Sequence, residues 1–256
     1  MAAVKGVALV TGASQGIGRA IAIRLADDGY DVAINDIPRG QENLAILKDE
    51  IQAKGRRAWS MIGDVSVEDD VKALIGGTVE NLGGLDVMIA NAAILITKSI
   101  VETTVEEWDK IFSVNARGTF LCYKYAGQQM IKQGRGGRII GATSTLGHQA
   151  QQMSGAYAST KFAIRGLTQA TAKELGPYGI TVNVYAPGAI NTTMLSAPGI
   201  PRENIELIRE AEGKKTVLGY IGEPEDIASI VSYLASKEAH FITGQSISVN
   251  GGRFFL

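Results

Sequence analysis

The chain has a single cysteine, Cys122, in 256 residues, which excludes an internal disulfide. Cys122 stands in the apolar stretch GTFLCYKY, the setting of a buried structural thiol and not of a nucleophile, and a reducing compartment is expected. Long hydrophobic runs are also missing. None approaches the roughly 18 residues of a membrane span, and MAAVKGVALVTGAS enters a strand pattern without signal-peptide features, so a cytoplasmic protein with no membrane partner is expected. Charge of one sign is lacking too, since 25 Lys and Arg nearly cancel 26 Asp and Glu. No net field then favours nucleic acid or an anionic surface, and a small-molecule partner is expected. The two histidines, His148 and His240, lie far apart without Cys, His or carboxylate neighbours, so no metal site is expected.

What is present is a rhythm. Apolar, β-branched runs at 7–10, 32–35, 58–62, 86–90, 138–142, 181–186 and 246–250 alternate with helical patterns at 16–28, 41–53, 67–81, 119–132, 156–175 and 225–235. The strand runs are apolar throughout and do not alternate, so both faces of the sheet are covered, as in a parallel α/β fold. Gly29, Gly55, Gly83 and Gly134 stand where several helices should close. No linker or repeat divides the chain, and a single domain over 1–256 is expected. The segment 193–218, with Pro198, Pro201 and the charged stretch RENIELIREAEGKK, fits no regular element and reads as a lid over a site.

Two motifs carry chemistry. TGASQGIG, Thr11 to Gly18, follows the first strand and opens the first helix, the context of a phosphate-binding turn. Gly12 permits the tight turn, Gly16 lets a pyrophosphate approach the backbone, and Gly18 lets the helix pack closely. Asp36 ends the second strand 24 residues after Gly12, where a carboxylate accepts from adenosine ribose hydroxyls and repels a 2′-phosphate. NAD is therefore expected, with NADP kept open by the nearby Arg39. Far downstream, Tyr157 and Lys161 are four apart on one helix face. A phenol of ordinary pKa, about 10, needs a fixed cation beside it to serve as an acid-base catalyst at neutral pH.

The spacing TGxxxGxG, with FSVNARG, ATSTLG and GAYASTKFA in that order, resembles the short-chain dehydrogenase/reductase family from end to end. The resemblance implies a single-domain Rossmann fold, a doubly wound, seven-stranded parallel sheet. It implies a catalytic tetrad of Asn115, Ser144, Tyr157 and Lys161. Tyr157 would exchange the proton of an alcohol, and Ser144 would bond the substrate oxygen. Lys161 would lower the phenol pKa and hold the nicotinamide ribose, and Asn115 would position a water for proton relay. It further implies cofactor contacts from Ser14, Gln15 and Ile17 in the turn, and from Asp64 and Val65 at the adenine. Asn91, Ala92 and Ala93 stand in ANAAI, where the family has NNAG. Pro187, Gly188, Ile190 and Thr192 stand in PGAINTT, at the nicotinamide carboxamide.

By the same resemblance the substrate pocket takes Ser144, Leu146, His148, Gln152, Met153, Tyr157 and Met194, with Leu95, Ala189 and Leu195 beside them. That set is mostly apolar and suits a small ketone or secondary alcohol better than a sugar phosphate. KFAIRGLTQATAKELGPYGITVNVYAPGAINTTM and ITGQSISVNGG are most similar to acetoin and diacetyl reductases, also described as butanediol dehydrogenases. A terpenoid or polyol alcohol, a thioester-linked acyl substrate, and a non-catalytic dinucleotide-binding, redox-sensing protein stay open as alternatives. A homotetramer is expected, built through the helices at 119–132 and 156–175 and the apolar C-terminal GGRFFL.

Overall fold

Val7–Thr11 (β1) is buried along its whole length, with Leu9 and Val10 facing opposite sides of the sheet, which is what a run apolar at every position requires. The other strands are β2 (Asp31–Asp36), β3 (Ala58–Ile62), β4 (Val87–Ala90), β5 (Gly137–Ala142), β6 (Ile180–Pro187) and β7 (Ser246–Val249). They form one seven-stranded sheet in the order β3-β2-β1-β4-β5-β6-β7, and every pairing is parallel. The structure is a computed structural model that describes residues 4–196 and 205–255; Pro198 and Pro201 lie outside the described residues.

Helices cover both faces. On one, α1 (Gly16–Asp27), α2 (Gln41–Ala53) and α8 (Pro224–Ala235) bring Ile21, Leu25, Leu44, Leu47, Val231 and Leu234 against Val10, Val32, Ile34 and Ile89. On the other, α3 (Glu68–Leu82), α5 (Gly118–Gln133) and α6 (Gly155–Leu175) bring Leu74, Leu121, Met130 and Ala172 against Leu9, Met88, Ile139 and Val182. Each fully buried side chain of this kind contributes about 1.5–3 kcal/mol. Cys122 lies in the second layer, where burial pushes its thiol pKa up to about 12 and leaves it an unreactive core group.

The strands and the six anticipated helices fall within one residue of their expected ends. Two helices were not anticipated. The first is α4 (Val105–Ile111), which continues into a π-helical turn, Phe112–Arg117. A capping box starts it, Glu107 N donating to Thr104 Oγ1 (3.2 Å) and Thr104 N to Glu107 Oε2 (2.9 Å). The second is α7 (Ile205–Gly213), inside the segment read as irregular.

Because β2 and β4 flank β1, successive crossovers leave the middle of the sheet in opposite directions, opening a crevice at the carboxyl edge. Backbones meet tightly there. A Cβ on Gly18 would stand 2.2 Å from Gly12 O and 2.5 Å from Asn91 Nδ2, while one on Gly166 in α6 would meet nothing within 4 Å. Gly18→Ala is therefore expected to destabilise the fold by about 1–3 kcal/mol. Gly166→Ala should instead stabilise it, by up to about 1 kcal/mol from helix propensity. Urea midpoints of the two variants against the parent check the pair.

Candidate active site

The glycine turn is held open by one side chain. Asn91 Nδ2 donates to Thr11 O (2.9 Å) and Gly12 O (3.1 Å), and Asn91 Oδ1 accepts from the buried Tyr185 hydroxyl (2.8 Å). Thr11 Oγ1 accepts from Asn91 N and Ala92 N, closing the same junction. Gly12 and Gly16 adopt φ of +63° and +54°, and a Cβ on Gly16 would press on Thr192 Cγ2 at 3.2 Å. No side chain caps α1 and its first turn is free of acidic residues, so its N–H groups face the crevice as an anion site.

This cradle, too narrow for side chains, fits a dinucleotide diphosphate. Asp36 fits the ribose, its carboxylate being fixed by Ser14 N (3.0 Å) and Ile37 N (2.8 Å) at the end of β2. Gln15 is the residue before α1 and is exposed. Asp64 follows β3 and accepts from Ser66 N (2.8 Å); burial acts to raise its pKa, but the Ser66 bonds together with the charges of Lys110 and Arg117 outweigh it and hold it low. Val65 is buried against the position where Gly118 lacks a Cβ.

The tetrad is assembled from three elements. Asn115 lies in the π-helical turn, and its carbonyl accepts from Thr119 Oγ1 (2.7 Å). The Asn115 side chain bonds Ile94 N and Ile94 O (both 2.9 Å) and Thr160 Oγ1 (3.2 Å), so the loop after β4 and the start of α6 are tied to it. Ser144 follows β5 and accepts from Leu146 N (3.1 Å) at a short 3-10 turn, Thr145–Gly147, and lines the same cavity as Tyr157. Lys161 Nζ donates to Ala142 O (2.8 Å) and stands 5.4 Å from the centre of the Tyr157 ring.

Both groups are deeply buried, Tyr157 at 8 % and Lys161 at 2 % exposure. Burial pushes the Tyr157 pKa up to about 12 against the opposing effect of Ser144, and it draws Lys161 down to about 7. Desolvation favours the neutral form of each group and is the leading cause of both shifts.

Tyr157, Lys161, Ser144 and Asn91 line one cavity of about 240 Å³ with Ile17, Ala93, Leu95, Leu146, Ala189, Met194 and Leu195. Pro187, Gly188, Ile190 and Thr192 also line it. Three expected residues do not. His148 turns away to bond Ser246 Oγ (2.7 Å), and burial, with Arg165 adding to it, lowers its pKa. Gln152 and Met153 are exposed on the loop beyond, where Met153 takes a left-handed φ of 67° and its carbonyl accepts from Lys98 N. In their place the cavity takes Tyr185, Gln151, Glu212 from α7 and Arg253 from the C-terminal segment. Glu212 and Arg253 lie far from the motifs in sequence, while Gln151 and Tyr185 neighbour predicted residues and belong to no motif of their own.

Residues 12–253 match the family model described as Enoyl-(Acyl carrier protein) reductase. A short-chain dehydrogenase/reductase of Armillaria gallica is 53% identical over 253 residues, covering 97% of this chain and 96% of that protein. The L-2,3-butanediol dehydrogenase of Corynebacterium glutamicum is 39% identical, with 97% and 98% covered. A 3-oxoacyl-[acyl-carrier-protein] reductase of Staphylococcus aureus is also 39% identical, with 96% and 97% covered. The crystal structure of an acetoin dehydrogenase from Salmonella typhimurium superposes with a TM-score of 0.86 at 34% identity, over 97% of this chain and 96% of that one. The chain belongs to the short-chain dehydrogenase/reductase family of oxidoreductases.

A folded-state Lys161 pKa near 7, against about 10.4 in the unfolded chain, has a linkage consequence. Below 7 the ammonium is charged in both states and its full burial penalty applies. Between 7 and about 10 the folded protein has released the proton and the unfolded chain has not, so stability attributable to this group rises with pH. Relative to Lys161→Met, the parent should gain in urea midpoint from pH 7 to pH 10; a pH-independent difference between the two would contradict a buried, depressed lysine.

Proposed function

We propose that the protein is an NAD(H)-dependent oxidoreductase that interconverts a secondary alcohol and a ketone. The observation that carries this reading is the convergence of Tyr157, Ser144 and Lys161 on one mostly apolar cavity beside the glycine cradle. The bound nicotinamide supplies the hydride acceptor in oxidation and the donor in reduction.

The remaining chemistry belongs to this chain. Ser144 donates to the substrate oxygen and so holds the carbinol carbon in register with Tyr157. The Tyr157 hydroxyl gives its proton to the developing alkoxide in reduction, and the phenolate takes it back in oxidation. Lys161, drawn toward neutrality by burial and with its Nζ 5.4 Å from the centre of the Tyr157 ring, receives or returns that proton while the Ala142 carbonyl fixes its position. Asn115 holds the Ile94 loop and Thr160 against each other, which sets the start of α6 and hence the aim of Tyr157. The apolar walls exclude water and favour a ketone-bearing molecule without a phosphate.

Asp36 supports NAD over NADP, since a 2′-phosphate would face a carboxylate already fixed by two backbone N–H groups. Exposed Phe120 and Ile131 on α5 and Phe162 on α6 support a homotetramer built on these helices, and the exposed Phe255 supports a second contact through the C-terminus.

Tyr157→Phe is expected to lower turnover by a factor on the order of 10² or more while leaving NADH binding largely intact, and equal activity would overturn the assignment. A panel of ketones, diketones, polyols and terpenoid alcohols with NAD and NADP in parallel identifies the direction and cofactor. In that assay Asp36→Ala should shift the kcat/KM ratio toward NADP by about tenfold or more, because a like charge is removed. Analytical ultracentrifugation at micromolar concentration should show a tetramer, and a monomer would refute the proposed interface.

A further inference from the structure

One end of the cavity carries chemistry that proton transfer does not use. Arg253, from the segment after β7, is paired there with Glu212 of α7, and its Nη2 donates to Gln151 Oε1 (3.3 Å) on the loop after β5. Lys215 Nζ also donates to Glu212 (2.6 Å). Three segments widely separated in sequence thus deliver a cation, a carboxylate and an amide to a cavity whose other walls are mainly Ile17, Leu95, Leu146, Ala189, Met194 and Leu195.

Holding the segment in place does not account for the group. The chain after β7 is already fixed by its backbone, Gly251 O accepting from Val217 N (2.9 Å) and Leu218 N (3.2 Å), and Asn250 Oδ1 accepting from Gly252 N. The Arg253 side chain is only 11 % exposed. Withdrawing a guanidinium from water into an apolar cavity is unfavourable unless its donors are used. Among the described residues, two of its five N–H donors have acceptors, Glu212 and Gln151. Glu212 faces Arg253 with one oxygen and the solvent-exposed Lys215 with the other, so it offsets part of the buried guanidinium's charge while the remaining donors stay directional.

We propose that Arg253, backed by Glu212 and Gln151, is a specificity-determining residue that donates to a second oxygen of the substrate, a neutral carbonyl or hydroxyl remote from the carbon that Tyr157 serves. The substrate class is then a ketone or secondary alcohol with oxygen at two separated positions and an apolar frame between. This rests on the oxidoreductase reading above and narrows it.

The test compares substrates of equal chain length. Steady-state kcat/KM is measured with NADH for methyl butyl ketone and for acetonylacetone, which has the same carbon chain with a second carbonyl. The parent should prefer acetonylacetone, and Arg253→Met should lower the ratio of the two kcat/KM values by about tenfold, the effect of losing one hydrogen bond to a charged donor. Gln151→Leu, on an exposed loop, should lower the same ratio less and serves if the arginine variant does not fold. Melting temperature without substrate accompanies each variant.

An unchanged ratio, with both substrates slowed equally, would mean that the cluster only braces the structure, and the inference would fall while the oxidoreductase reading stood. A preference for levulinate over acetonylacetone would overturn the neutral-oxygen assignment. A parent that oxidises or reduces nothing in the wider panel would remove the oxidoreductase reading itself, and this inference with it.

Discussion

The carboxyl edge of the sheet depends on the side-chain amide of Asn91. An asparagine offers two N–H donors and one carbonyl oxygen, and here they reach Thr11 O, Gly12 O and the Tyr185 hydroxyl. Those partners lie at the junction of β1 with the glycine turn and on β6, so one residue after β4 ties together two segments more than 170 residues apart in the chain. The absence of a Cβ on Gly18 belongs to the same arrangement, since that atom would collide with Asn91 Nδ2. The anion-binding end of α1 and the floor of the cavity are thereby set in a single register. The fully buried Tyr185, whose phenol burial pushes upward in pKa, acts as a neutral donor and not as an acid.

Burial then shapes the reactive pair. Desolvation moves Tyr157 and Lys161 in opposite directions, to about 12 and about 7, so at neutral pH the phenol keeps its proton and the lysine is near its midpoint. This is a different division of labour from a permanent cation beside a phenolate. A phenol raised in this way holds its proton more tightly than a free one, whereas burial brings the lysine toward the pH at which it exchanges protons with solvent.

Features that depend on short spacings were legible in the sequence. TGASQGIG between a strand and a helix, and the two side chains four apart on α6, fix their own geometry. The apolar runs likewise located every strand to within a residue, most plainly in β1, β4 and β6, which are buried along their whole length. The start of α4 was equally readable in Thr104-Val105-Glu106-Glu107, a capping box, but its apolar stripe is too short to stand out. The pocket was less legible. His148 was placed in it by distance from Ser144, yet after the 3-10 turn it takes a partner on β7, 98 residues away. Met153 follows with a left-handed backbone that carries the loop outward. Arg253 and Glu212 are 41 residues apart with no motif between them, and only the return of the chain past α7 after β7 brings them together.

The segment between β6 and α8 is held at both ends of its described part. At its base, Asn191 N donates to Gly222 O (2.8 Å) and Gly222 N to Ala189 O (3.0 Å), closing a parallel bridge between Ile190 and Gly222. At the end of α7, Glu212 is gripped by Arg253 and Lys215; burial acts to raise its pKa, and these two bonds outweigh it and keep the carboxylate ionised. Met194 and Leu195, between the two anchors, supply apolar wall to the same cavity. The ion pair that orders Arg253 at the cavity therefore also ties the chain after β7 to the end of α7.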